Sequence, residues 1–263
     1  MIMQLLHGDC LELMKDIPDG SIDAIICDPP YGITELEWDV IIPYDKLWEQ
    51  YKRIIKENAP IILFSQMPFG AELIMSNRNM FRYEIIWHKT CPGGFANCNK
   101  MPMRSHENIL VFYNKLPTYH PIKSKGTKYR RTGGQMGDRS MYKRITRGTK
   151  AYEGRFPTDV ITYSNHNGAL WGNTNKVVKH FTSKPVDLLK YLIKTYTNEG
   201  DLILDSCMGS GATGVAAVLT NRDFIGIEKN DEFFEMAQER IMKQYNHKVL
   251  ERGDKNEPVE RMD

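Results

Sequence analysis

The chain has 263 residues, 41% hydrophobic and 26% charged, with 35 Lys and Arg against 33 Asp and Glu. That length suffices for one full α/β core with an insertion or for two small domains, and the composition excludes collagen-like, coiled-coil and wholly disordered chains. The 5 unevenly spaced cysteines make no disulfide framework and read as free thiols in a reducing compartment, and no apolar run reaches the ~18–20 residues of a membrane span.

From the N-terminus, short apolar runs of strand length occupy residues 3–6, 24–27, 61–64, 85–87 and 109–113, with a helical pattern at 44–56. Asp9 and Glu12 interrupt the opening run, so a secretory leader is not expected. The second run stops at Asp28-Pro29-Pro30-Tyr31. Two prolines fix φ and remove two N–H donors. What is left is a rigid acceptor cluster: the Asp28 carboxylate, a carbonyl near Pro29 and the Tyr31 ring beside them. Such a cluster suits an exocyclic amine, which offers two N–H donors and a flat ring to stack on. Two acceptors on the amine would also free its lone pair for attack. A Pro-Pro turn with an exposed Asp is the plainer alternative for the tetrapeptide alone.

Further along, Cys91 and Cys98 lack a second matched pair, which is poor zinc spacing. No metal is expected, and residues 91–98 read as a glycine-rich loop near the site, in the manner of a lid. His88 follows Trp87 at a strand end and reads as structural. Arg104, His106 and Glu107 precede an apolar strand and either line a target pocket or pair at the surface.

The net charge of +2 hides a split. Between Asn114 and His180 lie 14 Lys/Arg and 3 Asp/Glu, a balance of +11; the rest of the chain holds 21 and 30, a balance of −9. The basic stretch is rich in Gly and Thr, poor in aliphatics and interleaved with Tyr129, Tyr142 and Tyr152. Its charge invites a polyanion, and a solvated basic loop is the alternative.

After it, the pattern predicts a helix at 185–196, a strand at 202–205, a helix at 212–220, a strand at 224–228, a helix at 231–245 and a polar tail at 247–263. Alternating strands and helices imply a largely parallel sheet covered on both faces. Gly209, Gly211 and Gly214 open a helix in the G-x-G-x-x-G pattern, and acidic Glu228 closes the next strand, placed for a ribose diol. These glycines do not separate a nicotinamide dinucleotide from another adenosine cofactor. Asp205 just upstream would tend to repel a pyrophosphate and favours a cationic cofactor such as S-adenosylmethionine, with a nicotinamide cofactor or a plain strand-to-helix turn without ligand as the alternatives.

Together these motifs resemble the amino-group DNA methyltransferases that make N6-methyladenine or N4-methylcytosine, in the permuted β-class order with Asp-Pro-Pro-Tyr ahead of the glycine motif. The resemblance implies an α/β Rossmann-like fold with a mostly parallel seven-stranded sheet, helices on both faces and a basic target-recognition insertion. It divides the chain into a catalytic domain (1–114 and 179–246), an insertion (115–178) and a C-terminal tail (247–263). It implies transfer from S-adenosylmethionine to adenine N6 in double-stranded DNA by base flipping, with N4-cytosine or a silent DNA-binding relative as alternatives; an RNA or protein substrate also stays open. Asp28, Pro29, Pro30 and Tyr31 would be catalytic. Asp9, Cys10, Asp28, Thr182, Ser183, Lys184, Asp205, Cys207, Gly209, Ser210, Gly211, Glu228 and Lys229 would hold the cofactor. Lys125, Lys128, Arg130, Arg131, Arg139, Lys143, Arg144 and Arg147 would meet DNA. The segment 180–185 is similar to the family's His-Pro-Thr-Gln-Lys-Pro, with Phe181 and Ser183 as departures, and Trp38-Asp39 resembles a pair that often follows the catalytic loop. Ser206-Cys207 replaces the usual Pro-Phe, removing an aromatic contact. A cytoplasmic protein of bacterial or bacteriophage type is implied, with a homodimer and a companion restriction endonuclease as conceivable partners.

Overall fold

The computed structural model describes the chain except residues 37, 127–128, 132–149, 166–182 and 253–263, and gives only the backbone at 129–131, 150–152 and 251–252. In chain order the elements are β1 (Met3–His7), α1 (Cys10–Leu13), β2 (Ala24–Cys27), α2 (Tyr44–Ile54), β3 (Ile61–Ser65), α3 (Phe69–Ser76), β4 (Phe81–Gly93), β5 (Arg104–Phe112), β6 (Tyr129–Arg131), β7 (Lys150–Tyr152), β8 (Val160–Tyr163), α4 (Val186–Tyr196), β9 (Leu202–Asp205), α5 (Ala212–Leu219), β10 (Asp223–Glu228) and α6 (Asp231–Arg252). Two compact units result: Met1–His120 with Asp159–Asp263, and Pro121–Thr158.

The larger unit holds an eight-stranded sheet in the order β1-β10-β9-β2-β3-β5-β4-β8. Pairing is parallel from β1 through β3, antiparallel on both sides of β5, and parallel again between β4 and β8. The count exceeds the seven strands expected because residues 160–163, assigned to the insertion, pair with β4 from Ile86↔Val160 to Lys89↔Tyr163.

Strand residues alternate between two cores, as the pleat requires. Ile25, Cys27, Ile61, Leu63, Leu110 and Phe112 face α1, α2 and α3. Ile26, Ile62, Phe64, Ile109 and Val111 face α4, α5 and α6. The α2 stripe is Leu47, Trp48, Tyr51 and Ile54, all buried, a spacing that lays one helical face on the sheet. This helix ends two residues before the sequence pattern does: Ile55 turns extended (ψ 147°) and bridges Ile22. Among the differences, α3 has no counterpart in the sequence reading, β4 extends well beyond 85–87 on both sides, β5 begins at Arg104 rather than 109, and α6 runs on into the expected tail as far as Arg252.

The smaller unit carries an antiparallel pair, β6 with β7, from Tyr129↔Tyr152 to Arg131↔Lys150. Ser124 and Arg155 exchange both backbone hydrogen bonds at 3.0 Å. Gly154 (φ +74°) lets the chain turn there; a Cβ would lie 2.7 Å from the Ser124 carbonyl oxygen.

Candidate active site

Because β1, β10, β9 and β2 are parallel neighbours, their carboxyl ends emerge along one edge of the sheet. Asp9, Glu228, Asp205 and Asp28 follow or end those strands and line one cleft of about 790 Å³. This is where open α/β sheets bind ligands.

The loop after β2 is built on Asp39. Its carboxylate accepts the backbone N–H groups of Tyr31 (2.8 Å), Gly32 (2.8 Å), Ile33 (2.9 Å) and Thr34 (2.8 Å), and the Thr34 hydroxyl (2.7 Å). Burial pushes the Asp39 carboxyl up, but the bonds from Thr34, Gly32 and Ile33 outweigh it and hold it below the usual carboxylate range. Asp39 therefore shapes the Asp-Pro-Pro-Tyr loop from behind. Tyr31 stacks on Phe69 at 5.0 Å and donates its hydroxyl to Asp28 Oδ1 at 2.6 Å.

The glycine turn follows the same logic. Gly209 (φ +50°) and Gly211 (φ +76°) take left-handed conformations. A Cβ on Gly211 would lie 3.0 Å from the Ala237 backbone, and one on Gly214 only 2.4 Å from Ile241, so α5 packs against α6 through bare glycine. Glu228 accepts the Gly209 and Asn230 N–H groups, both at 2.8 Å, one on each carboxylate oxygen. Arg240 donates to Ser183 Oγ (3.3 Å), Ser210 Oγ (3.2 Å) and the Ser210 carbonyl (3.2 Å), tying α6 to the turn. Ser210 also donates to Ser183 Oγ at 3.1 Å. Nothing in the sequence pattern singles out Arg240, because it lies one helix beyond the motif.

Asp205 is buried, and burial pushes its carboxyl up to about 7 against the opposing hydrogen bond from Thr213. Ser206, the departure from the usual Pro, lies 2.6 Å from the Tyr51 hydroxyl and 3.4 Å from Cys27 Sγ. It is a satisfied core polar group rather than a damaged turn. The Cys10 and Cys207 thiols share a hydrogen bond that lowers Cys10 and raises Cys207. Asp9 caps α1 through the Leu11 N–H (2.9 Å) and pairs with Lys229 (3.2 Å). Trp38 meets Phe233 edge-on at 6.0 Å, and both line the cleft.

Lys184 stands apart from the other residues grouped with it. Its ammonium lies 2.5 Å from Asp28 Oδ2 and 3.3 Å from Glu107 Oε2, while Lys89 meets Glu107 Oε1 at 3.1 Å. Four charges of alternating sign thus run from the β2 end across to β5 and β4. Burial pushes the Glu107 carboxyl up, and Lys184 and Lys89 together pull it below its usual value. For Lys184 burial pulls down, and Asp28 and Glu107 raise it above the ordinary lysine value. Of the three residues ahead of the fifth apolar run, Glu107 lines the cleft. Arg104 is exposed and donates to Gln66 at 3.3 Å, and His106 is exposed opposite His88. Sequence pattern does not single out Lys89; its alternation with buried Trp87 on β4 is the only local signal.

Thr182, Lys128, Arg139, Lys143, Arg144 and Arg147 lie outside the described residues. Lys125 is exposed, and Arg130 and Arg131 lie on β6. Among the described residues no helix is long and apolar enough to cross a membrane.

A doubly wound sheet with a glycine turn at its switch point and an acid ending the next strand is the Rossmann-like arrangement, and with Asp28-Pro29-Pro30-Tyr31 lining the same cleft it fits the methyltransferase class of that fold. The DNA methylase family profile matches residues 22–239, and the chain belongs to that family, S-adenosylmethionine-dependent enzymes acting on amino groups of DNA bases. It is similar to the type II methyltransferase M.HpaI of Haemophilus parainfluenzae, 29% identical over 94% of this chain and 76% of the relative. It is also similar to the DNA adenine methyltransferase YhdJ of Escherichia coli K12, 28% identical over 90% of this chain and 82% of the relative. The crystal structure of an M1.HpyAVI–SAM complex superposes with a TM-score of 0.61 at 25% identity, covering 91% of this chain and 99% of that one.

Proposed function

We propose that the protein methylates the exocyclic N6 of adenine at a specific sequence in double-stranded DNA, acting on a base flipped out of the helix. The observation that carries this reading is that Asp28 opens into the same cleft as residues 205–210 of the glycine turn and Glu228, so target amine and methyl donor would share one chamber. The adenine assignment is supported by the Asp-Pro-Pro-Tyr form of the loop and by the name of the YhdJ relative. N4 of cytosine is the alternative within the family.

The residues fit the cofactor. Glu228 keeps lone pairs free after two backbone N–H bonds and would accept from a ribose diol. Asp205, Ser183 and Ser210 would face the cationic amino-acid end, with Asp9, Cys10, Cys207 and Lys229 around the adenine. Bound S-adenosylmethionine supplies an electrophilic sulfonium methyl group. The chain's own contribution is positioning and electrostatics. Asp28 and the Pro29 carbonyl would accept the two amine N–H groups, freeing the nitrogen lone pair. Tyr31, backed by Phe69, would offer a stacking surface, and Pro29-Pro30 keeps the acceptors rigid. The basic stretch 115–178 would contact DNA, with Lys125, Lys128, Arg130, Arg131, Arg139, Lys143, Arg144 and Arg147 on phosphates. By likeness to the bacterial relatives the action would lie in the cytoplasm, and M.HpaI's type II name supports a companion endonuclease. A homodimer is a further reading of the resemblance.

The test is expression in a methylation-deficient bacterium followed by modification mapping. N6-methyladenine in one sequence context is expected; N4-methylcytosine moves the target base, and unmodified DNA overturns the reading. Asp28→Ala should abolish transfer while S-adenosylhomocysteine still binds by calorimetry, and full activity in that variant would remove Asp28 from the mechanism.

A further inference from the structure

Lys184, grouped by the resemblance with the cofactor residues, is a buried ammonium set against Asp28 and Glu107, and transfer run by Asp28 and the Pro29 carbonyl leaves that placement unexplained. Its side chain is 10% exposed, and it sits 5.2 Å from the Phe64 ring centroid and 5.8 Å from that of Tyr31. Burying a charge this way is costly unless it is paired. The pairing is elaborate: Asp28 on one side, Glu107 on the other, and Lys89 behind Glu107. Glu107, 9% exposed in its side chain, leaves Oε2 without a hydrogen bond; it faces Lys184 across 3.3 Å as an ion contact only. The ammonium has three N–H groups, and Asp28 takes one of them. Lys89, Glu107, Lys184 and Asp28 all line the cleft.

We infer that Lys184 and Asp28 form a two-point reader for an amino group next to an unprotonated ring nitrogen, with Lys184 donating to the ring nitrogen while Asp28 accepts from the amine. The inference rests on the proposed base-amine chemistry of the cleft. Asp28 Oδ2 and Lys184 Nζ stand 2.5 Å apart, an acceptor beside a donor. Adenine (N6–H beside N1) and cytosine (N4–H beside N3) present the complementary donor beside an acceptor. At the corresponding positions guanine (O6 beside N1–H) and thymine (O4 beside N3–H) present a carbonyl beside an N–H, which sets oxygen against carboxylate and N–H against ammonium. The pair therefore admits the N6/N1 side of adenine and the N4/N3 side of cytosine and rejects the corresponding sides of guanine and thymine by unpaired polar groups. Glu107 and Lys89 are positioning residues that keep the ammonium at that edge.

The experiment uses duplexes carrying the mapped target site with either adenine or 1-deazaadenine, which replaces N1 by CH. Wild-type kcat/KM should fall about 10- to 150-fold on the analogue, the range expected when a hydrogen bond to a charged donor is removed. Lys184→Met should be slower on adenine yet treat the two substrates within about threefold of each other. Glu107→Gln should show an intermediate ratio with S-adenosylhomocysteine affinity unchanged. Equal wild-type rates on both substrates, or an undiminished ratio in Lys184→Met, overturn the inference. Should Lys184→Met fail to fold, the wild-type ratio and Glu107→Gln decide it. If the mapped base is cytosine, 3-deazacytosine serves in the same way with the same outcomes. Methylation of no DNA at all overturns the functional reading itself, which separates that failure from this one.

Discussion

Asp39 and Asp205 are buried carboxylates with opposite consequences. Asp39 gathers four backbone N–H groups and one hydroxyl, so its ionised form is favoured in the fold. The stability it contributes is present above the ordinary carboxylate pKa and is lost as pH falls through its depressed folded value. Asp39→Ala should cost about 2–4 kcal/mol, read as a lower Tm, and weaken cofactor binding, since Ile33 and Thr34 wall the cleft. Asp205 runs the other way. With its carboxyl raised to about 7 by burial, the folded form binds a proton that the unfolded chain has released, so stability falls as pH rises from about 4 toward 7. Asp205→Asn should therefore match wild type near pH 4 and exceed it above pH 7, by up to about 4 kcal/mol, while binding S-adenosylhomocysteine more weakly. Thermal unfolding across pH with calorimetry checks both; a wild-type slope retained in Asp205→Asn would contradict the assignment. At this scale the sequence shows which residue types stand at strand ends. It does not show that Asp39 is the acceptor for the Asp-Pro-Pro-Tyr loop, because hydrogen bonds back to residues 31–34 depend on how the intervening turn folds.

Among the elements, the glycine turn is the most legible. Strand, turn and helix follow in order, and each glycine has a steric reason. Gly214→Ala should cost about 1–3 kcal/mol through overpacking, because its Cβ would fall 2.4 Å from Ile241 and 2.8 Å from Phe224. Gly211→Ala adds left-handed strain to a backbone approach at 3.0 Å, and should also lower cofactor affinity. Gly20→Ala, at φ +61° with open space around it, should show strain alone, about 1 kcal/mol. Urea unfolding of the three ranks them, and a Gly20 variant as unstable as Gly214→Ala would refute the packing account. The elements without a sequence signal have equally physical causes. In α3 the two buried side chains Phe69 and Leu73 make too short a stripe to distinguish from loop. The arms of β4 beyond Ile85 and Trp87 are largely exposed and are held by pairing with β5 and β8, not by an apolar pattern. Hence β8, with an exposed–half-buried alternation, gives no strand signal in a basic context.

For the whole molecule, the charge split is the feature with the clearest consequence. A balance of −9 over the rest of the chain and +11 over residues 114–180 predicts that DNA binding is strongly salt-dependent. Replacing four of Lys125, Lys128, Arg130, Arg131, Lys143 and Arg144 with Gln should shrink the log–log salt slope by about 0.9 for each phosphate no longer neutralised. Fluorescence anisotropy at several salt concentrations measures it, and an unchanged slope would place the DNA on another surface. By itself the sequence determined the α/β class, the two motifs, their order and the location of the positive charge, because these are written in periodicity, turn chemistry and composition. Only the tertiary structure decided that β2 lies beside β9, that Asp28 meets Lys184 from 156 residues away, and that Glu107 and Lys89 complete the charged chain. A pleat with a period of two says which face a side chain takes. It does not say which strand becomes its neighbour, and strand order is what brings these four charges to one cleft.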